Sequence, residues 1–315
     1  MPLPLTVLVS DVKCDHVSEL DLSGTTSTIV TYPSGSIHET ATVVEVLSDP
    51  REAAGGLLVI TDATPFHPLD PLWPDQPADH GELLVDDNVF AVRDTITVAQ
   101  RPGGPIQVDD QIDARRDEPD VLFLVAHVVD EAAGDVLTKG AAVTLIVSAD
   151  RRLRLSAAHT ACHLLAYALN EATHDLWRKP APPDSRGHHD LDAAACVLTR
   201  HDIGGSTDEY RLGKSLRNRG FDTAGFLDGL SLTIERVNRA LANWIASDAP
   251  VRIDRTGPFL TDRRQWICGT PGGTAEMPCG GTHVQRLGEL SSMTAVASFD
   301  EPSGILTIRN HVHLT

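Results

Sequence analysis

SAAHTACHLLAYALNEA (156–172) decides how the second half of this 315-residue chain folds. Its alanines and leucines favour a helix, and Ser156 can cap one by accepting a hydrogen bond from a first-turn N–H, so the stretch predicts a helix starting at Ser156. On that helix His159 and His163 stand four residues apart, so their imidazoles project from one face and can share one ion. In a chain with 14 histidines the pair alone reads more readily as ordinary polar helix residues and decides nothing by itself.

Working outward, MPCGGTHV (277–284) supplies a second half-site. Cys279 and His283 flank Gly280, Gly281 and Thr282, and two glycines let the backbone fold tightly enough to aim both side chains at one point. Read alone, the stretch is a turn with an unremarkable Cys and His. Together the two half-sites give a His, His, Cys, His set, the mixed nitrogen and sulfur donors that suit Zn2+. Four protein ligands usually mark a structural ion, whereas a catalytic one keeps a position open; the glycines beside Cys279 leave room for a wider coordination. The helix lacks the Glu of an HExxH metalloprotease, which argues against peptide hydrolysis. An activated ester needs less help, namely a metal-associated water and oriented donors for the oxyanion.

Upstream the texture differs. TVLVS, STIVTY, ATVVEVL, LLVIT, ITVAQ, VLFLVAHVV and AAVTLIV are short β-branched runs separated by Gly, Pro and Asp, and seven such runs predict a small barrel or closed sheet. Downstream, RKPAPPDSRGHHD (178–190) reads as a loop, while Leu230, Ile234, Val237, Leu241 and Trp244 recur at helical spacing within GFLDGLSLTIERVNRALANWIAS (225–247). WICG, TAVASF and ILTIRN return to strand character. The fold class expected is α+β, with a β-rich barrel-like domain over residues 1–150 and a zinc-binding α+β domain over 151–315.

No apolar run reaches the roughly 20 residues of a membrane helix, and the first residues lack a basic region and a cleavage site, so the expected compartment is the cytoplasm. Five cysteines, an odd number, argue for reduced thiols over a disulfide framework. The net charge of -18 opposes phosphate binding. Its distribution reopens the question: residues 1–150 hold 7 basic and 26 acidic side chains, whereas residues 151–315 hold 19 and 18. RRLR (151–154) and RLGKSLRNR (211–219) contribute Arg151, Arg152, Arg154, Arg211, Lys214, Arg217 and Arg219, either a phosphate-facing patch or a solvated surface.

HTACHLL followed by CGGTHV, with SLTIERVNRALANWIASDAPV between them, resembles the editing domain of alanyl-tRNA synthetase and its free-standing relatives, the AlaX-type trans-editing proteins. Threonyl-tRNA synthetase carries a similar domain of the same superfamily. FHPLDPLWPDQPADHGELL (66–84) is similar to that family's FYP…GGQPxDxG segment, so the likeness covers most of residues 60–300. It implies a zinc-dependent deacylase of mischarged aminoacyl-tRNA, with His159, His163, Cys279 and His283 as ligands. Without aminoacylation motifs, the chain reads as an editor acting in trans. Thr160, Gly280, Gly281 and Thr282 are the residues expected beside the reacting ester, with His67, Asp79 and His80 as further candidates.

Two departures bear on the substrate. Trp73, Pro74 and Asp75 stand where the family has its glycine pair, and HDIGGSTDEYRLGKS (201–215) aligns only loosely with the family's Gln and Gly-Ser segment. Seryl-tRNA(Ala) is the first expected substrate, because a pocket rejects one added hydroxyl poorly; tRNA(Thr) bearing serine or fluorothreonine is the second. Two other classes stay open: a zinc hydrolase of small esters or thioesters, and a noncatalytic tRNA-binding module with structural zinc.

Overall fold

The computed structural model describes residues 22, 24–51, 55–71 and 74–315. The strand expected at TVLVS (6–10), together with Cys14 and Trp73, lies outside the described residues.

The remaining six β-branched runs all form strands. In chain order the first half contains β1 (Ile29–Val30), β2 (His38–Ser48), β3 (Leu57–Thr61), β4 (Ala63–Thr64), β5 (Gly81–Val85), β6 (Asn88–Val92), β7 (Asp94–Gln100), β8 (Ile106–Val108), β9 (Leu122–Val129) and β10 (Ala142–Val147). Eight of them make one antiparallel sheet in the order β6-β5-β10-β2-β3-β9-β7-β8, and β1 and β4 form a separate two-stranded pair. LLVIT is apolar on both faces because both are covered. Leu58 and Ile60 join one apolar cluster while Val59 joins another, as the two-residue period of a strand requires.

The expected closed barrel does not form. Strands β6 and β8 end the sheet without pairing to each other. Three-residue β8 follows the turn formers Pro102, Gly103, Gly104 and Pro105, which leave little ladder to close with. The sheet curls instead, and beyond β6 the Arg93 N–H donates to the Val128 carbonyl of β9 at 2.9 Å.

Deep in this sheet His127 is fully buried. Its Nδ1 lies 2.9 Å from the Val59 carbonyl and so carries the proton, and Nε2 accepts from the Thr64 hydroxyl at 2.8 Å. Burial pushes the imidazole pKa down to about 4 from 6.5. Between those values only the unfolded chain takes up the proton, so stability falls as pH drops through the window, by about 3 kcal/mol at pH 4 from this group alone. Urea titrations at pH 7 and pH 4.5 should show a smaller acid loss for His127→Gln than for the unmodified chain; equal losses refute the assignment.

The second half opens with α1 (Ala149–Thr173), which starts seven residues before the expected cap at Ser156. Arg and Leu in RRLR are good helix formers, and an Asp150–Arg154 pair at i,i+4 supports the added turns. Every residue from Leu155 to Asn170 is buried, so Ser156 lies inside the helix rather than at its end. A helix apolar around its whole girth belongs in an interior, and α1 is enclosed by two further units. One is a sheet ordered β11-β12-β17-β16, built from β11 (Cys196–Asp202), β12 (Gly205–Arg211), β16 (Leu290–Asp300) and β17 (Ile305–Leu314). The other is the helix Leu230–Ala246, whose Val237, Leu241 and Trp244 are buried and whose Leu230 and Ile234 pack beside them, as its sequence spacing predicts.

A three-stranded sheet of β13 (Val251–Arg255), β14 (Arg264–Thr270) and β15 (Gly273–Pro278) completes the fold. Residues 178–190 hold no helix or strand beyond one isolated bridge, Pro183 to His189. The protein is thus a mixed α+β chain, mostly strands in several sheets. No helix among the described residues is long and apolar enough to cross a membrane.

Candidate metal centre

The two half-sites meet. Helix α1 carries His159 and His163 to the loop that follows β15, where Cys279 and His283 stand, and one donor atom from each lies within 4.8 Å of all the others. Cys279 Sγ is 3.4 Å from His159 Nε2 and 3.2 Å from His283 Nε2. A four-coordinate ion with bonds of roughly 2.0–2.3 Å needs donors about 3.3–3.8 Å apart, close to this spacing.

Neighbouring groups hold the rings in the required tautomers. His159 Nδ1 lies 2.7 Å from Gln76 Oε1, so it carries the proton and Nε2 presents a lone pair. His283 is held likewise, its Nδ1 donating to Thr160 Oγ1 at 3.1 Å. His163 Nδ1 is buried without a hydrogen-bond partner, beneath the edge of the Trp266 ring at 4.8 Å. Burial pushes the Cys279 thiol up to about 12, so a nearby cation is what would make it a thiolate. Burial likewise holds His159, His163 and His283 neutral, the ligand form. The donor set therefore fits a metal ion. Cys162, Cys196, Cys268 and Cys279 are all free of disulfides.

Gln76 is the keystone that the residue types did not reveal. Its Oε1 also accepts from the Thr282 N–H at 3.0 Å, and its Nε2 donates to Thr282 Oγ1 at 2.9 Å, so one amide ties the N-terminal sheet region to the ligand loop. We expect Gln76→Leu to lower metal affinity about 10–100-fold, the usual cost of losing such a partner. Competition with a chromophoric chelator measures this, and an unchanged affinity would remove Gln76 from the centre.

No family model matches this sequence, and no curated protein does.

Thr160 and Thr282 are committed to the framework. Thr160 Oγ1 accepts from the Val284 N–H as well as from His283, and Thr282 Oγ1 bonds to both Gln76 and Ser156. Gly281 is required by close approach, since a Cβ there would overlap the His159 ring and the Gln76 amide. Gly280 has open space where a Cβ would stand and borders a small cavity of about 30 Å³ lined by Tyr32, His67 and Arg264 among others.

Of the other candidates, His67 is buried against the Tyr32 ring and Asp79 is wholly buried; His80 is half-buried at the wall of a second, open cleft. Arg152, placed by its sequence in a phosphate-facing patch, is instead buried and paired with Asp79. Arg154 pairs with Asp150, and the Arg151 guanidinium donates to the Ala78 carbonyl. Arg211, Lys214, Arg217 and Arg219 are exposed, and none pairs with a carboxylate among the described residues.

Two further residues border the centre. Asp75 Oδ2 lies 3.7 Å from His159 Nε2. The ring of His201 lies over that of His159 with centroids 4.3 Å apart. Asp75 was visible only as a replacement for a glycine, and His201, on β11, shares no ligand spacing with the other four.

Proposed function

We propose that the chain is a trans-acting, zinc-dependent deacylase of mischarged aminoacyl-tRNA, acting in the cytoplasm where such esters arise. The observation that carries the reading is the convergence of His159, His163, Cys279 and His283 with the tautomers of His159 and His283 fixed by Gln76 and Thr160. Three imidazoles and a thiolate favour zinc over hard, oxygen-seeking cations. The resemblance in sequence to tRNA-editing domains supplies the substrate class.

When bound, zinc supplies a Lewis acid for the ester carbonyl and a water of lowered pKa. The chain's own residues do the rest. Gln76 and Thr160 hold the imidazoles in the ligand tautomer, and Ser156 and Gln76 pin Thr282 so that the Gly280–Gly281 backbone keeps its course. Gly280 places no side chain of its own between the centre and the small cavity. Trp266, wholly buried, packs against the His163 ring and shields it from water.

Release of radiolabelled amino acid from a panel of mischarged tRNAs tests the reading, with serine on tRNA(Ala) and serine or fluorothreonine on tRNA(Thr). Zinc-dependent release from one member is expected, and none from any member refutes it. The exposed residues Arg211, Lys214, Arg217 and Arg219 extend the test. Reversing all four charges should slow tRNA turnover and flatten its dependence on salt, since each lost phosphate contact removes roughly 0.7–0.9 from the log–log salt slope.

A small-ester hydrolase is the competing reading, favoured by the net charge of -18 and by the loss of Arg152 from the patch. Turnover of p-nitrophenyl esters that survives charge reversal, with no tRNA turnover to begin with, would establish it.

A further inference from the structure

Beside the metal centre opens a cleft of about 370 Å³ whose charged and titratable lining is Asp75, His80, Asp94, Arg151, Arg200 and His201. Both signs of charge line it. Asp75 lies against the metal centre, 3.7 Å from His159 Nε2. His201 is beside it, 4% exposed, with both ring nitrogens lacking a hydrogen-bond partner and its backbone N–H donating to the Asp75 backbone carbonyl at 2.8 Å. Arg200 is exposed, and neither it nor Arg151 pairs with a carboxylate among the described residues. Asp94, the other carboxylate in the cleft, has the Arg51 guanidinium 3.6 Å away.

A buried imidazole with two unused nitrogens requires a ligand or water, because an unpaired buried polar group costs about 1–3 kcal/mol. A carboxylate at the reaction centre, with two guanidinium groups in the same cleft that pair with no carboxylate among the described residues, fits a ligand that carries both a cation beside its reacting bond and an anion. The 3′ end of an aminoacyl-tRNA is such a ligand, with an α-ammonium next to the ester carbonyl and a phosphodiester on the far side of the ribose.

We propose that this cleft seats the aminoacyl-adenosine end of the substrate, with the Asp75 carboxylate accepting the α-ammonium, His201 bonding beside it, and Arg151 and Arg200 holding the last phosphodiester. The assignment rests on the deacylase reading and sharpens it. The substrate class becomes aminoacyl esters with a free amino group, and N-blocked species such as peptidyl- and formyl-aminoacyl-tRNA are excluded.

A metal ion is the other occupant to weigh, because Asp75, His159 and His201 also gather within 4.8 Å of one another. His159 cannot serve two ions, however, since its Nδ1 proton is committed to Gln76 and only Nε2 has a lone pair to give.

The test uses the full chain, metal-loaded, and three stable probes. These are 3′-serylamido-3′-deoxyadenosine 5′-phosphate, its N-acetyl form, and its form without the 5′-phosphate. Calorimetry should show that N-acetylation weakens binding to the unmodified chain about tenfold or more, the scale of a charge-assisted hydrogen bond. In D75N that penalty should shrink to about twofold. Removing the phosphate should weaken binding to the unmodified chain but not to the R151Q/R200Q double variant.

Equal binding of free and N-acetyl probes by the unmodified chain overturns the assignment without reference to any variant. So does a D75N chain that loses affinity for both probes alike, or one that loses kcat with every affinity intact, which would make Asp75 an orienter of water. A second equivalent of metal, retained by the unmodified chain and lost in D75N, would give the cleft to an ion. A chain that clears mischarged tRNA but ignores acetylation refutes this assignment alone. One that clears no tRNA and binds no probe refutes the deacylase reading with it.

Discussion

With His163 replaced by alanine, the protein should be isolated nearly free of metal and should release amino acid from mischarged tRNA more than about 10³-fold more slowly, since the several kcal/mol of charge stabilisation supplied by a bound ion goes with it. The effect is large because no other group can stand in for the lost ring. His163 is buried on α1 between His159, His283 and the Trp266 edge, with ring centroids 4.7–4.8 Å away in each case. Alanine leaves three donors facing a dry hole. Metal per chain by mass spectrometry, with a circular dichroism melt to show that the fold survives, reads the first effect; labelled amino acid release reads the second. Full metal occupancy in the variant would mean that His163 is not a ligand. Full occupancy lost without any activity to lose would mark the ion as structural.

Arg152→Ala should destabilise the fold by about 3–5 kcal/mol, the cost of leaving one member of a buried ion pair alone. Asp79 is wholly enclosed and Arg152 is 5% exposed. The guanidinium Nε lies 3.0 Å from both Asp79 oxygens, Nη2 also bonds Asp79, and Nη1 and Nη2 donate to the Ser36 and Pro65 carbonyls at 3.2 and 2.6 Å. The Asp79 carboxylate in turn accepts from the His67 N–H. This pair bolts α1 to the first sheet. Urea unfolding should show the loss as a lower midpoint, and the double variant Arg152→Met with Asp79→Asn should recover part of it. A change under about 1 kcal/mol would show that water reaches the pair and screens it.

What could be read in the sequence was whatever depends on near neighbours. The His159–His163 spacing is a property of one helix, and CGGTH of one turn, so both half-sites are legible. That they share an ion follows only from combining them. The amphipathic stripe from Leu230 to Trp244 is legible for the same reason. The hairpin of β5 and β6 is not signalled in the sequence because its turn, Asp86–Asp87, lacks the glycine that usually marks one, although Asp86 itself adopts a φ of 48°. Arg152 illustrates the opposite failure. A basic run on a helix looks like surface, and only the tertiary partner Asp79, 73 residues away, turns one of its members inward. Gln76 and Asp75 stood in plain view in the PDQP segment, yet their roles depend on α1 and the Gly281 loop arriving beside them.

The ligands sit far apart along the chain. His159 is made 120 residues before Cys279, and the amide that fixes its ring is made earlier still. At a ribosomal pace of about 5–20 residues per second, roughly 6–24 s pass between the two halves of the coordination set. During that interval the nascent helix can offer a passing cation only two nitrogens, too few to hold it against competing cellular ligands. On the zinc-dependent reading proposed above, loading is a late act of biosynthesis, and cells starved of the metal should accumulate finished but unloaded chains rather than arrested ones.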